Sequence, residues 1–84
     1  MLKIKDNVDL KELEKFGFVK DKDQTWTLYS YEYKTPRARF EIEINKKRHI
    51  VPWEYGDDYA DTMWAYGAFL FDLIQAGFVE KVEE

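Results

Sequence analysis

Apolar side chains recur at helical spacing along DYADTMWAYGAFLFDLIQA, residues 58–76, and they cover more than one face of the helix this spacing predicts. At about 100° per residue the polar or small positions Asp58, Asp61, Ala65, Ala68, Asp72 and Gln75 fall on one strip, expected to face water. The remaining arc, from Phe69, Thr62, Leu73 and Tyr66 through Tyr59, Leu70, Met63 and Ile74 to Gly67, Ala60, Phe71 and Trp64, spans roughly 220° of the wheel, more than a helix resting on one sheet requires. Leaving Trp64 and Phe71 bare would expose roughly 150 to 250 Å² each, an upper limit of about 4 to 6 kcal/mol apiece. Either the short N-terminal helix and the C-terminal tail cover this edge, or it is a homodimer seam or a docking site, since large aromatic patches are seldom left open. Trp64 and Phe71, with Phe69 on the opposite margin, are therefore the candidate protein-interaction residues.

The ends of this helix are marked. Gly56 breaks the preceding strand, Asp57 or Asp58 can accept from the first free amides, and Gly77 is a left-handed stop with Phe78 placed to pack back as a Schellman partner. Gly67 sits mid-helix, where it costs about 1 kcal/mol against alanine, and close backbone approach on the buried arc it shares with Ala60 is the expected reason.

NVDLKELEKFGFV, residues 7–19, predicts a shorter helix, with Asp9 as N-cap, Glu12 completing a capping box, Val8 and Leu13 as staple, and Gly17 as stop. Leu10, Leu13 and Phe16 make its apolar stripe. Before it, residues 2–5 alternate as a short edge strand. The segment LEKFGFV at residues 13–19 echoes LIQAGFV at residues 73–79, which a shared helix-stop chemistry explains more simply than duplication. The second copy continues into residues 79–82, a segment able to pair beside the N-terminal strand.

Between the two helices the period becomes two, and three strands are expected. Tyr29, Tyr31 and Tyr33 share one face of residues 25–33, Ala38, Phe40, Ile42 and Ile44 one face of residues 37–44, and His49, Val51, Trp53 and Tyr55 one face of residues 47–55. Two-residue hairpins would set Tyr31 opposite Phe40, Tyr29 opposite Ile42, Phe40 opposite Val51 and Ala38 opposite Trp53. The same register pairs Glu32 with Arg39, Arg37 with Glu54 and Glu43 with Arg48, and leaves Trp26, Leu28 and Ile50 on the outer face. Pro52 marks the third strand as an edge. The expected fold is a single two-layer α+β domain over residues 1–84. In it a three-stranded antiparallel meander is packed by a long C-terminal helix and a short N-terminal helix in the order β-α-β-β-β-α, with a short terminal strand left open.

Composition narrows the chemistry. Aromatic residues make up 18% of the 84 residues, so the chain should fold, and with no cysteine there is neither a disulfide framework nor a thiolate metal site. No apolar run reaches the length of a membrane span, and a soluble, cytoplasmic protein is expected. The net charge of −4 disfavours nucleic acid over the whole surface. A local basic group formed by Arg37, Arg39, Lys46, Lys47 and Arg48 beside Trp26 could still hold single-stranded nucleic acid by phosphate contact and stacking, although Glu32, Glu41 and Glu43 lie among these cations.

Glu54, Asp57, Asp58 and Asp61 could gather around a divalent cation, but they read more simply as favourable charge at a helix N-terminus, and no metal site is assigned. His49, the single histidine, has no triad or metal spacing around it and reads as a residue at the sheet margin. With no glycine-rich phosphate loop either, no catalytic residue and no cofactor is expected.

The ends of the chain, KIKDNVDLKELEKFGF at residues 3–18 and LFDLIQAGFVEKV at residues 70–82, resemble small proteins encoded in phages and prophages of Gram-positive bacteria. The resemblance covers about a third of the chain and implies a phage-borne accessory protein of the host cytoplasm. The reading favoured by the sequence is a non-enzymatic protein-interaction module, a homodimer or a binder of a host or phage protein. One form is an inhibitor of host defence presenting acidic side chains, and the alternative is a single-stranded nucleic-acid-binding accessory protein.

Overall fold

The computed structural model describes residues 1–36, 38–54 and 59–82, with the side chains of residues 54 and 59–61 outside the description. The elements in chain order are β1 (Leu2–Ile4), a 3-10 helix (Leu10–Phe16), β2 (Val19–Lys20), β3 (Thr27–Lys34), β4 (Arg39–Asn45), β5 (Ile50–Glu54), α1 (Tyr59–Gln75) and β6 (Val79–Lys81). The α+β class and the placing of both helices agree with the sequence. The three-stranded meander does not: it is extended by β2 into a four-stranded sheet ordered β2-β3-β4-β5, and β1 pairs with β6 in a second, two-stranded sheet.

An antiparallel bridge between Lys3 and His49 links the two sheets, reinforced by the Ile4 amide donating to the Arg48 carbonyl at 2.8 Å. The expectation that residues 79–82 would pair with the N-terminal strand holds, with Leu2 opposite Lys81 and Ile4 opposite Val79.

The two helix stops share one geometry. Gly17 and Gly77 are left-handed, with φ of 96° and 78°. In each, the glycine amide donates to the carbonyl three residues back and the following phenylalanine amide to the leucine five back: Gly17 to Glu14 and Phe18 to Leu13, then Gly77 to Ile74 and Phe78 to Leu73. The echoed leucines, Leu13 and Leu73, are both fully buried. At the start of the 3-10 helix the Asp9 carboxylate accepts from the Lys11 amide at 3.0 Å, as an N-cap should. Glu12 does not close the capping box; it pairs with Lys15 at 2.6 Å.

Strand register departs from the sequence reading at both hairpins. The β3–β4 turn closes on Thr35 and Ala38, one position later than expected, because the Thr35 hydroxyl accepts from the Ala38 amide at 3.0 Å while the Thr35 amide donates to the Ala38 carbonyl at 2.8 Å. Tyr31 therefore faces Ile42, Tyr29 faces Ile44 and Tyr33 faces Phe40. The slip is even, so every ring keeps its face.

The β4–β5 turn has the larger effect. Asn45 accepts through Oδ1 from the amides of Lys47 (2.9 Å) and His49 (3.1 Å), and Arg48 takes a left-handed φ of 65°. That makes a three-residue loop with a bulge instead of a two-residue turn. An odd count inverts the next strand. Ile50 is buried, opposite Ile44, whereas Trp53 lies opposite Glu41 and is 47% exposed, so the expected inward set of His49, Val51 and Trp53 is reversed; Tyr55 lies outside the described residues.

Of the expected charge pairs, Arg39 meets Glu32 diagonally at 3.6 Å, since Glu32 itself faces Glu41. Glu43 accepts from the Thr27 hydroxyl at 3.2 Å and not from Arg48. The Arg37 pair falls outside the described residues. Trp26 is exposed as expected, while Leu28, freed by the register shift between Thr27 and Tyr29, packs against the core.

Between sheet and helices lies a core of Ile4, Leu13, Phe40, Ile42, Ile44 and Leu73, all fully buried, joined by a ring network that takes in Phe18, Tyr31, Tyr33, Tyr66 and Phe69. Among the described residues no helix is long and apolar enough to cross a membrane.

Candidate docking face on the long helix

The sheet selects one face of α1. Thr62 and Leu73 are buried, and Ala65, Tyr66, Phe69 and Leu70 are half-buried against the core, an i, i+3, i+4, i+7 pattern. Aromatic contacts fix this choice: Phe69 stacks on Tyr31 with ring centres 4.1 Å apart and an interplanar angle of 12°, and Tyr66 meets Phe40 edge-on at 5.7 Å. Ala65, expected to face water, is thus turned toward the core. Phe69, on the margin opposite Trp64 as expected, is half-buried in this ring cluster.

The opposite face remains uncovered. Trp64 is 78% exposed, Phe71 56% and Ile74 48%, with Gly67 exposed between them. Positions 64, 67, 71 and 74 repeat with alternating steps of three and four, which places them on one stripe of a helix. Among the described residues neither the 3-10 helix nor β6 covers this stripe; Phe78 packs against Phe16 instead, at 5.5 Å. Gly67 is not in the buried arc, and a Cβ built there would meet nothing within 4 Å among the described residues, so none of them requires a glycine at that position.

Beside this stripe, on the flank of α1 that faces β3, lies a groove of about 220 Å³. Tyr31 and Tyr33 line it from the strand, and Trp64, Ala65, Ala68, Phe69 and Asp72 from the helix. Burial raises the Tyr31 hydroxyl above its ordinary pKa, with a smaller contribution from Tyr33 beside it. Tyr29 is raised in the same direction, by burial first and then by the carboxylates of Glu14 and Asp9. The sequence placed Ile74 on the apolar arc without singling it out as an interaction residue, and gave no sign of this groove. The alternation of Tyr31 and Tyr33 toward the helix was the available signal, and no contact across the two elements could be read from it.

The basic residues of the nucleic-acid alternative are not brought together. Arg48 turns inward: its guanidinium donates to the backbone carbonyls of Lys5, at 3.1 Å, and Val8, tying the β4–β5 turn to the N-terminal loop. Arg39 pairs with Glu32 on β3, Lys46 and Lys47 sit exposed at the tip of the β4–β5 turn, and Arg37 lies outside the described residues. The acidic set Glu54, Asp57, Asp58 and Asp61 also falls outside what is described. Among the described residues no group of three or more His, Asp or Glu side chains is placed to hold a metal ion. His49 sits half-buried at the bridge between the sheets, as its position at the sheet margin suggested.

Comparison of the chain with protein-family models, with curated proteins and with solved structures finds no match. The functional reading therefore rests on the geometry.

Proposed function

We propose that this chain is a non-enzymatic protein-interaction module that docks through the outer stripe of α1, with a second copy of itself as the occupant, in the phage-accessory setting that the resemblance of its ends implies. The observation that carries the reading is Trp64, exposed to 78% and aligned with Phe71 and Ile74 across a glycine whose outer space is empty.

The stripe is suited to its own image. In an antiparallel crossing centred near Gly67 and Ala68, Trp64 of one copy lies against Phe71 of the other, while the missing Cβ lets the backbones approach. Trp64 and Phe71 together offer about 200 to 330 Å² of uncovered surface per copy. With Ile74 and the flanking small residues, two copies approach the lower limit of about 1,000 Å² for a specific interface, which makes this a weak, concentration-dependent dimer.

Sedimentation equilibrium from micromolar to near-millimolar concentration tests it. Reversible dimerisation that Trp64→Asp abolishes is the expected result. A strict monomer across that range, or a dimer indifferent to Trp64→Asp and Phe71→Asp, overturns it. The nucleic-acid alternative gains no support from the scattered cations; tight, salt-sensitive binding of single-stranded DNA or RNA would restore it.

A further inference from the structure

The groove between α1 and β3 has a chemistry of its own. Ala65 and Ala68 are the small residues that leave it open, Trp64 and Tyr33 are aromatic, and Asp72 supplies its carboxylate. No lysine or arginine lines it, and among the described residues Asp72 forms no ion pair. Trp64, Ala68 and Asp72 follow one another at steps of four, so the rim runs about 12 Å along the helix at 1.5 Å per residue. Trp64 stands at one end of that rim and the carboxylate at the other. Tyr31 accompanies the carboxylate end, since it stacks on Phe69, three residues before Asp72. Tyr33 accompanies the Trp64 end, since it stacks on Phe40, which in turn meets Tyr66.

A negative charge at one end of an apolar, aromatic trough calls for a ligand that is positive at its tip and aliphatic along its stem. A lysine side chain has that form: an ammonium with three donors on a four-carbon chain. The groove is open to the surface along the helix, so a partner backbone can run outside it while the side chain lies within. We propose that this groove receives a lysine side chain from a partner protein. In it the ammonium donates to the Asp72 carboxylate and the methylenes lie along Ala68 toward Trp64 and Tyr33. The groove shares Trp64 with the self-association stripe, but Asp72 is on the flank of α1 and not on that stripe, so Asp72→Asn separates the two readings.

The test is a set of NMR titrations of the full chain with N-acetyl-lysine methylamide. Two controls are run beside it: the norleucine analogue, which has a similar stem and no charge, and n-butylamine, which has the charge and stem without a peptide backbone. Shifts confined to the Trp64 indole and the amides of Ala68 and Asp72, with affinity falling about fivefold in Asp72→Asn, support the proposal; that is the scale of one exposed charge pair. Asp72 is exposed, so Asp72→Asn should fold as the parent does, and an unchanged amide spectrum away from the groove establishes that. Norleucine binding equal to lysine overturns the proposal by reducing the groove to an apolar cleft. An Asp72→Asn variant of full affinity overturns it by showing that the carboxylate is not what is recognised. The isolated stem and ammonium of n-butylamine should bind about as well as the lysine derivative, because the backbone stays outside the groove, and its failure to bind overturns the proposal.

Discussion

The inner and outer faces of α1 carry side chains of the same character and meet opposite fates. Inside, Tyr66 and Phe69 are enclosed among Tyr31 and Phe40, and Leu73 is fully buried. Outside, Trp64, Phe71 and Ile74 stand in water. Helical periodicity measures how apolar each face is and is blind to which of two apolar faces a sheet will take. That choice is made by ring contacts across elements far apart in the sequence, Tyr31 with Phe69 above all. The difference between the faces also separates two kinds of residue: those on one hold the domain together, and those on the other can change with little effect on stability.

The largest effect should come from Leu73→Ala, which removes a fully buried side chain from beneath the helix stop and is expected to destabilise the domain by about 2 to 5 kcal/mol in urea denaturation. Equal truncation outside, Trp64→Ala, should change stability by about 0.5 kcal/mol or less while removing dimerisation. A large loss of stability from Trp64→Ala would show that the outer face contributes to the fold after all.

Gly67→Ala sharpens the contrast, because its two effects have opposite signs. Helix propensity should stabilise the monomer by up to about 1 kcal/mol, since the added methyl meets nothing. The same methyl should weaken self-association measured by sedimentation, because it separates the two backbones.

The smallest effect concerns the inner face at alkaline pH. Tyr29 and Tyr31 hold their protons more tightly folded than unfolded. The stability they contribute is therefore fully present below the ordinary tyrosine value near 10 and is lost as pH rises through their raised folded values. Thermal denaturation followed from pH 8 to 11 should show a falling melting temperature only above about pH 10. Tyr31→Phe should flatten that fall.

Much of this architecture was legible because local chemistry wrote it. Asp9, Gly17 and Gly77 mark helix ends through their own backbone preferences, and the repeated Gly-Phe-Val predicted two equivalent stops that the hydrogen bonds reproduce. The hairpins were less legible because loop length decides register, and it turned on one side chain in each. Thr35 moved the first turn by one residue and left the faces intact. Asn45, bonded to the amides of Lys47 and His49, made the second loop odd, and so placed Ile50 inside and Trp53 outside. In the candidate site, Trp64 and Phe71 could be read from helix spacing alone, whereas Tyr31 and Tyr33 joined them only through the packing of a strand against a helix.

The β1–β6 pairing has a topological consequence. The Val82 amide donates to the Met1 carbonyl at 3.0 Å, so residues 1 and 82 are immediate neighbours in space. A short flexible linker between them would close the backbone into a ring without strain, and the exposed bend that Asp21 organises through the amides of Asp23 and Gln24 offers a place to reopen it. Such a circular permutant would keep every strand pair intact and carry its new ends in the bend between β2 and β3.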